Sequence, residues 1–122
     1  MSAHILVVDD SVVARRIIVQ ILEAAGYEVT GVTSGAEALA VFEAEPVDLA
    51  IFDIAMPDID GFTLLRQVRE CPTYKHIPVI MLTASGRDED VRTAREMGAN
   101  SFLTKPSSSQ MIMQTVAGLL AD

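Results

Sequence analysis

Residues Asp48 to Gly61 read D-L-A-I-F-D-I-A-M-P-D-I-D-G, and this stretch decides the fold that the sequence predicts. It begins with the apolar run Leu49 to Phe52, which is typical of a strand buried on both faces of a parallel sheet. Asp53 ends that run, and Pro57 and Gly61 then predict a loop that leads into a helix. Open α/β sheets bind ligands beyond the carboxyl ends of their strands, so Asp53 is a candidate functional group. A solubilising aspartate at a strand end is the alternative, and for a single aspartate it is the more common one.

The rest of the chain repeats this arrangement, because apolar runs alternate with helical patterns five times. Such alternation is typical of βα units around a parallel sheet. Sequential right-handed connections then predict a single doubly wound sheet of five strands in the order 2-1-3-4-5, the flavodoxin-like (βα)5 class. The predicted strands are Ile5 to Val8, Tyr27 to Val32, Leu49 to Phe52, Pro78 to Leu82 and Ser101 to Leu103.

Helical spacing predicts which side chains of the helices face the sheet. The helix from about Asp88 to Met97 is unusual because its apolar face is small and most of its residues are charged, so we expect it to be weakly held and able to move in a switch. The inner face predicted for the first helix is Ala14, Ile17, Ile18, Ile21 and Ala25, and that for the final helix is Ile112, Val116, Leu119 and Leu120.

Length and composition limit the possible functions. A chain of 122 residues, half of them hydrophobic and 21% charged, fits one globular domain over residues 1–122. A formal net charge of −8 argues against direct binding of nucleic acid. Cys71 is the single cysteine, which excludes an internal disulfide and favours a reducing compartment. No apolar run reaches the length of a membrane span, so we expect a cytoplasmic protein without membrane insertion.

Polar side chains stand at four of the predicted strand ends. Asp9 and Asp10 follow the first strand, Asp53 the third, Thr83 the fourth and Lys105 the fifth. Because parallel strands all point the same way, these side chains should gather at one edge of the sheet. The predicted strand order makes the first and third strands neighbours, which brings Asp10 next to Asp53.

Three carboxylates in one place repel each other. A pair about 4 Å apart costs on the order of 4 kcal/mol at an effective dielectric constant near 20. Lys105 offsets one charge, and a divalent cation would neutralise the remainder, with Mg²⁺ favoured by the oxygen ligands. The alternative is that one or two of the carboxylates take up a proton. Thr83 and Lys105 favour the cation, because both suit an arriving phosphoryl group that Asp53 could accept as nucleophile.

These strand-end motifs resemble those of the receiver domain of bacterial response regulators, and the resemblance covers essentially the whole chain. It implies a domain that is phosphorylated on an aspartate in two-component signalling. The motifs are Asp9-Asp10-Ser11, Asp53 with Met56-Pro57 and Asp60-Gly61, Leu82-Thr83-Ala84, and Lys105-Pro106.

The resemblance also implies a role for each residue. Asp53 accepts the phosphoryl group from a histidine kinase or a histidine phosphotransfer protein. Thr83 and Lys105 contact the phosphoryl oxygens, and the peptide bond between Lys105 and Pro106 is cis. The implied Mg²⁺ ligands are Asp9 (through water), Asp10, Asp53 and the backbone carbonyl of Ala55.

The predicted output of the switch lies away from the acceptor. A phosphoryl group on Asp53 should draw the Thr83 hydroxyl inward, and Phe102, at the aromatic switch position of the family, can then fill the vacated space. The signal should leave through the face formed by the fourth helix, the fifth strand and the fifth helix. We expect that face to bind a target protein or a second copy of the domain.

Three other functions compete with the switch. A receiver-like interaction module that is never phosphorylated needs neither Thr83 nor Lys105. A phosphatase or phosphotransferase with an aspartyl-phosphate intermediate, similar to the haloacid dehalogenase group, carries an Asp-x-Asp motif at its first strand, whereas this chain has Asp9-Asp10. A flavodoxin-like cofactor binder needs an uncharged phosphate loop after the first strand. We therefore expect no enzyme with a separate substrate, but a domain that catalyses only its own phosphorylation and dephosphorylation.

Overall fold

The computed structural model describes residues 2–56, 58–84 and 88–121. In these ranges five strands alternate with five helices along the chain. The strands are β1 His4–Val8, β2 Glu28–Val32, β3 Leu49–Asp53, β4 Val79–Thr83 and β5 Ser101–Thr104. The helices are α1 Val12–Ala24, α2 Gly35–Ala44, α3 Gly61–Glu70, α4 Asp88–Glu96 and α5 Ser109–Leu120.

The five strands form one sheet in the order β2-β1-β3-β4-β5, and every neighbouring pair is parallel. The predicted fold class and strand order are therefore confirmed. In the central strand β3, Phe52 pairs with Val8 of β1 and Asp53 pairs with Leu82 of β4. This register sets the ends of the three central strands side by side.

Helices cover both faces of the sheet, because alternate residues of each strand point to opposite sides. One core cluster joins the sheet to α2, α3 and α4, with Phe52 and Leu64 fully buried at its centre. The other joins the sheet to α1 and α5, where Leu22 and Val116 are fully buried. All residues of β1, β3 and β4 are buried, as their continuous apolar sequences predict.

The prediction for the inner face of α1 is partly wrong. Ile18 and Leu22 are its buried residues, whereas Ile17 is 50% exposed and Ala25 lies beyond the helix on the surface. Helix α1 is apolar on more than one side, since Val13 and Ile17, one turn apart, are both exposed. Hydrophobicity alone therefore does not identify the stripe that packs on the sheet. In α5, Ile112 and Val116 are buried, and Leu119 and Leu120 are half-buried.

Helix α4 buries little, as its charged sequence predicts. Ala94 is fully buried, whereas Val91 and Met97 are only half-buried. Gly26 and Gly98 follow α1 and α4 with φ of 100° and 96°, a left-handed conformation that favours glycine after a helix.

A buried histidine organises the amino edge of the sheet. The His4 backbone amide donates to Asp48 Oδ2 at 2.7 Å. Its ring Nδ1 lies 2.8 Å from the Pro46 carbonyl oxygen, and Nε2 lies 2.8 Å from Thr30 Oγ1. Because a carbonyl only accepts, Nδ1 carries the proton that is donated to Pro46. His4 is thus a structural residue.

Arg69 of α3 joins two turns at the same edge of the sheet. Its guanidinium donates to the Gly98 carbonyl through Nε at 3.0 Å and Nη2 at 2.8 Å. It also donates to the carbonyls of Lys75 and Ile77 and to Asn100 Oδ1, at 3.0, 2.8 and 2.8 Å. These five hydrogen bonds fasten the α4–β5 turn to the α3–β4 connection, a role that no sequence motif indicates.

No helix within residues 2–56, 58–84 and 88–121 has the length and apolar character that crossing a membrane requires.

Candidate functional site

The carboxyl edge of the sheet gathers the polar side chains that the sequence places at strand ends. Asp9 is fully buried, Asp53 and Thr83 are 5% and 7% exposed, and Asp10 is on the surface. One carboxylate oxygen from each of Asp9, Asp10 and Asp53 lies within 4.8 Å of the other two. This convergence follows from β1 and β3 being neighbours in register, so the strand topology alone builds the cluster.

Lys105 completes the cluster from the end of β5. Its Nζ lies 2.8 Å from Asp9 Oδ2 and 2.9 Å from Asp53 Oδ2. The Lys105 backbone amide donates to the Thr83 carbonyl at 2.6 Å, and the peptide bond to Pro106 is cis, as the resemblance implies. Burial alone lowers the pKa of Lys105, but its close contacts with the carboxylates of Asp9 and Asp53 outweigh burial and raise it. Lys105 is therefore a fixed positive charge at the site.

Asp9 has one oxygen that is well satisfied and one that is not. Its Oδ1 accepts from the Ser11 backbone amide at 2.9 Å, and its carbonyl accepts from Arg15 Nη1 at 2.9 Å. Oδ2 is buried and accepts no well-aligned hydrogen bond from the described residues, although Lys105 Nζ is only 2.8 Å away. Charge attraction depends on distance and not on hydrogen-bond alignment, so Lys105 and Asp9 form an ion pair. A lone pair of Asp9 Oδ2 nevertheless remains available to another ligand. A buried oxygen in this state suits a bound cation.

Asp53 binds its proton more tightly than an ordinary aspartate. Burial raises its pKa from 3.8 to about 6, the Lys105 hydrogen bond opposes this rise, and neighbouring Asp9 adds to it. Two unit charges 4.8 Å apart repel by on the order of 3 kcal/mol at a dielectric constant near 20. One ammonium thus does not balance the carboxylates. The cluster can relieve the excess charge by taking up a proton or by holding a cation, the two alternatives that the sequence leaves open.

The segment after Asp53 packs closely against the carboxyl end of β3. Gly61 begins α3, its amide donates to the Ile54 carbonyl at 2.7 Å, and a Cβ at this position would collide with the carbonyl oxygen of Asp53. Asp60 caps α3, because its Oδ1 accepts from the Thr63 amide at 2.8 Å. The Asp60-Gly61 pair of the sequence motif is therefore structural and keeps α3 close to the end of β3.

The structure also places the predicted switch residues and Ala55. Phe102 is half-buried and packs against the core cluster beneath α2, α3 and α4, and it pairs with Met81 in the register of β4 and β5. Ala55 is exposed, and its amide donates to Asp53 Oδ1 at 3.2 Å. Pro57, predicted from the sequence to lie in the loop after Asp53, is outside the described residues.

Beside the carboxylate cluster is a groove that the sequence did not predict. It has a volume of about 310 Å³ and lies between the start of α1 and the start of α5. Val13 and Ile17 form one wall, and Lys105 and Pro106 connect the groove to the site. The sequence signal that could have indicated this groove is the second apolar side of α1, formed by Val13 and Ile17.

Comparison with known proteins gives a consistent result. The family model described as "Response regulator receiver domain" matches residues 5–117. Over 120 residues, 98% of this chain, the sequence is 41% identical to response regulator PleD of Caulobacter vibrioides. The match covers 26% of PleD, so this chain spans about a quarter of that relative's length.

Solved structures agree with the sequence matches. A candidate response regulator from Chloroflexus aurantiacus superposes with a TM-score of 0.96 at 37% identity, and all of both chains is covered. The chemotaxis response regulator CheY4 of Vibrio cholerae superposes with a TM-score of 0.93 at 34% identity, covering 98% of this chain and 100% of CheY4. Together with the family match, these likenesses show that the chain belongs to the family of response regulator receiver domains.

Proposed function

We propose that this domain, over residues 1–122, is a phosphorylation-activated switch of a two-component system and that Asp53 is its phosphoryl acceptor. The observation that carries the proposal is the position of Lys105 Nζ, 2.8 Å from Asp9 and 2.9 Å from Asp53 in a cluster of three carboxylates. A purely structural site would gain nothing from such concentrated charge, whereas a site for a cation and a phosphoryl group needs it.

The residues that would hold Mg²⁺ are Asp9, Asp10, Asp53 and the backbone carbonyl of Ala55, with Asp9 acting through water. All of these ligands are oxygens, which Mg²⁺ prefers. The unsatisfied Oδ2 of Asp9 and the mutual repulsion of the carboxylates both support a cation here. Bound Mg²⁺ would neutralise charge on the carboxylates and on the incoming phosphoryl group.

The proposed reaction is a phosphoryl transfer from phosphohistidine to Asp53. A carboxylate oxygen of Asp53 forms a bond to phosphorus while the phosphorus–nitrogen bond breaks, and the electron pair stays on the imidazole nitrogen of the donor. Lys105 stabilises the charge on the phosphoryl oxygens, and the Thr83 hydroxyl donates a hydrogen bond to one of them. Because the pKa of Asp53 is about 6, the carboxylate is mainly ionised, and so nucleophilic, above that pH.

The donor is proposed to be a histidine kinase or a histidine phosphotransfer protein. It must approach Asp53 from the open edge of the sheet, where the groove of about 310 Å³ offers the apolar side chains Val13 and Ile17. Their exposure, 69% and 50%, supports a docking role for this side of α1.

The proposed output is a change in the face formed by α4, β5 and α5. Phosphorylation would draw Thr83 inward and let Phe102 pack deeper, which shifts the balance between two existing conformations. Met111 and Met113 of α5 are exposed by 50% and 36%, and methionine surfaces adapt readily to partners. The proposed partner is a target protein or a second copy of the domain. A cytoplasmic location, no direct binding of nucleic acid and no turnover of a separate substrate belong to the same proposal.

Labelling tests the acceptor assignment. Incubation with Mg²⁺ and either acetyl phosphate or a panel of phosphorylated histidine kinases should label the parent on Asp53, as mapped by mass spectrometry. Asp53→Asn should lose the label, while the control Asp48→Asn, a carboxylate at the opposite edge of the sheet, should keep it. Equal labelling of Asp53→Asn would contradict the assignment, and an unlabelled parent would favour a module that is not phosphorylated.

A further inference from the structure

The loop between β3 and α3 contains Ala55, whose carbonyl is a proposed ligand of the cation. We infer that Asp58 is a positioning residue for the cation site, because its carboxylate fastens this loop to the amino end of α2. The inference rests on the proposed function and extends it to a residue that does not itself reach the carboxylate cluster.

Asp58 binds the first turn of α2 through both oxygens. Its Oδ1 accepts from the Gly35 amide at 3.1 Å, and its Oδ2 accepts from the Ala36 amide at 3.0 Å. The first amides of a helix have no partner within the helix, and the helix dipole favours an anion there. The bond from Ala36, followed by that from Gly35, lowers the pKa of Asp58. The carboxylate is therefore ionised and held at two points.

Close packing strengthens the attachment. Gly35 is buried against Ile59, and a Cβ at position 35 would collide with the Ile59 side chain. Ile59 in turn packs on the core cluster beneath α2, α3 and α4. Two consecutive residues of the loop, Asp58 and Ile59, thus sit directly on the start of α2.

The two ends of the loop are fixed to the site. The Ile54 amide donates to the Leu82 carbonyl at 2.9 Å, and Gly61 returns to the Ile54 carbonyl at 2.7 Å. Ala55 is exposed, and its amide donates to Asp53 at 3.2 Å. Among the described residues of the loop, the carboxylate of Asp58 supplies the hydrogen bonds that tie its middle to another element. Without this attachment, cation binding would have to order the carbonyl of Ala55. The entropy cost of that ordering would lower the affinity for the cation.

A residue that only caps α2 would act differently. Ser34 also caps this helix, because its Oγ accepts from the Glu37 amide at 3.2 Å, but no described bond joins Ser34 to the loop. Loss of a cap should weaken the fold without changing cation affinity. Ser34→Ala is thus a matched control for damage to the start of α2.

The experiment measures two quantities for each protein: the Mg²⁺ affinity by titration calorimetry, and the midpoint of urea unfolding in EDTA. The proteins compared are the parent, Asp58→Ala, Asp58→Asn and Ser34→Ala. Asp58→Ala should bind Mg²⁺ about tenfold more weakly than the parent, the lower end of the effect of residues that orient metal ligands. Asp58→Asn should recover part of the affinity, because its amide oxygen can still accept one of the two bonds. Ser34→Ala should lower the urea midpoint and leave the affinity unchanged.

The two Asp58 variants lose the same charge, so the difference between them reports the hydrogen bonds alone. Equal affinities for Asp58→Ala and Asp58→Asn would overturn the inference, as would an Asp58→Ala variant that binds Mg²⁺ like the parent. A loss in Ser34→Ala as large as in Asp58→Ala would also overturn it. A parent that binds no Mg²⁺ would instead refute the cation site of the proposed function, and this inference with it.

Discussion

Removing the charge of Asp53 should stabilise the domain when no divalent cation is present. Burial and the nearby Asp9 carboxylate make ionised Asp53 unfavourable in the folded state, even though Lys105 contacts it. Asp53→Asn keeps the shape of the protonated side chain and cannot ionise. We therefore expect the free energy of unfolding of Asp53→Asn to exceed that of the parent at neutral pH in EDTA.

The size of the effect follows from the pKa. The folded-state pKa of Asp53 is about 6, against 3.8 for an ordinary aspartate. Below the lower value both states of the parent are protonated, so parent and variant should be similarly stable. Between the two values the unfolded chain loses its proton while the folded chain keeps it, and the parent loses stability as pH rises. Above the folded-state pKa the loss is complete and amounts to roughly 3 kcal/mol.

Urea unfolding in EDTA at about pH 4.5 and about pH 8 measures this difference. The advantage of Asp53→Asn should grow between the two pH values, and added Mg²⁺ should stabilise the parent more than the variant. Asp58→Asn is the control of opposite sign. The amides of Ala36 and Gly35 lower the pKa of Asp58, so this carboxylate contributes stability at neutral pH that is lost on acidification. An Asp53→Asn advantage that stays constant or shrinks as pH rises would refute the reasoning.

Three further predictions concern other parts of the structure. Asp10→Ala should weaken Mg²⁺ binding more than about tenfold. Asp9→Ala should weaken it less, because the contact of Asp9 with the cation is proposed to pass through water. Unchanged Mg²⁺ affinity of Asp10→Ala in calorimetry would show that the acidic pair is not the cation site. Thr83→Ala should still accept a phosphoryl group but lose the phosphorylation-dependent gain in partner affinity. A pull-down with and without beryllofluoride measures this gain, and a normal gain in Thr83→Ala would show that the signal does not pass through Thr83. Arg69→Met should lower the free energy of unfolding by about 2–4 kcal/mol, because it leaves backbone carbonyls without donors; a urea midpoint equal to the parent's would show that water replaces the guanidinium.

The sequence predicts that the strand-end side chains converge, because strand topology determines their positions. Asp9, Asp53, Thr83 and Lys105 follow or end apolar strands, and a parallel sheet necessarily brings such positions to one edge. The strand order that places the Asp9-Asp10 pair beside Asp53 follows from the handedness of βα connections. The Lys105 contacts with both carboxylates then need only a side chain of sufficient length.

The features that the sequence does not predict depend on the conformation of loops and on which of two similar apolar sides of a helix packs on the sheet. Arg69 and Asp58 bind backbone groups that are distant in sequence, and the positions of those groups depend on the assembled turns. Ile17 is as apolar as Ile18, so helical spacing predicts both on the inner face, and only the packing of the whole helix decides between them. The direction of the Asp53 pKa shift depends on burial, which a sequence pattern does not measure.

The two edges of the sheet differ in how completely their polar groups are satisfied, and this difference bears on protein engineering. At the amino edge, His4 and Arg69 bind several partners each, whereas the opposite edge keeps repelling carboxylates close together. A domain that concentrates its unfavourable electrostatics at one end can tolerate change at the other. Stabilising substitutions near Pro46 or Lys75 should therefore raise thermal tolerance without slowing phosphorylation, and the usual trade-off between stability and activity should be confined to the acidic end.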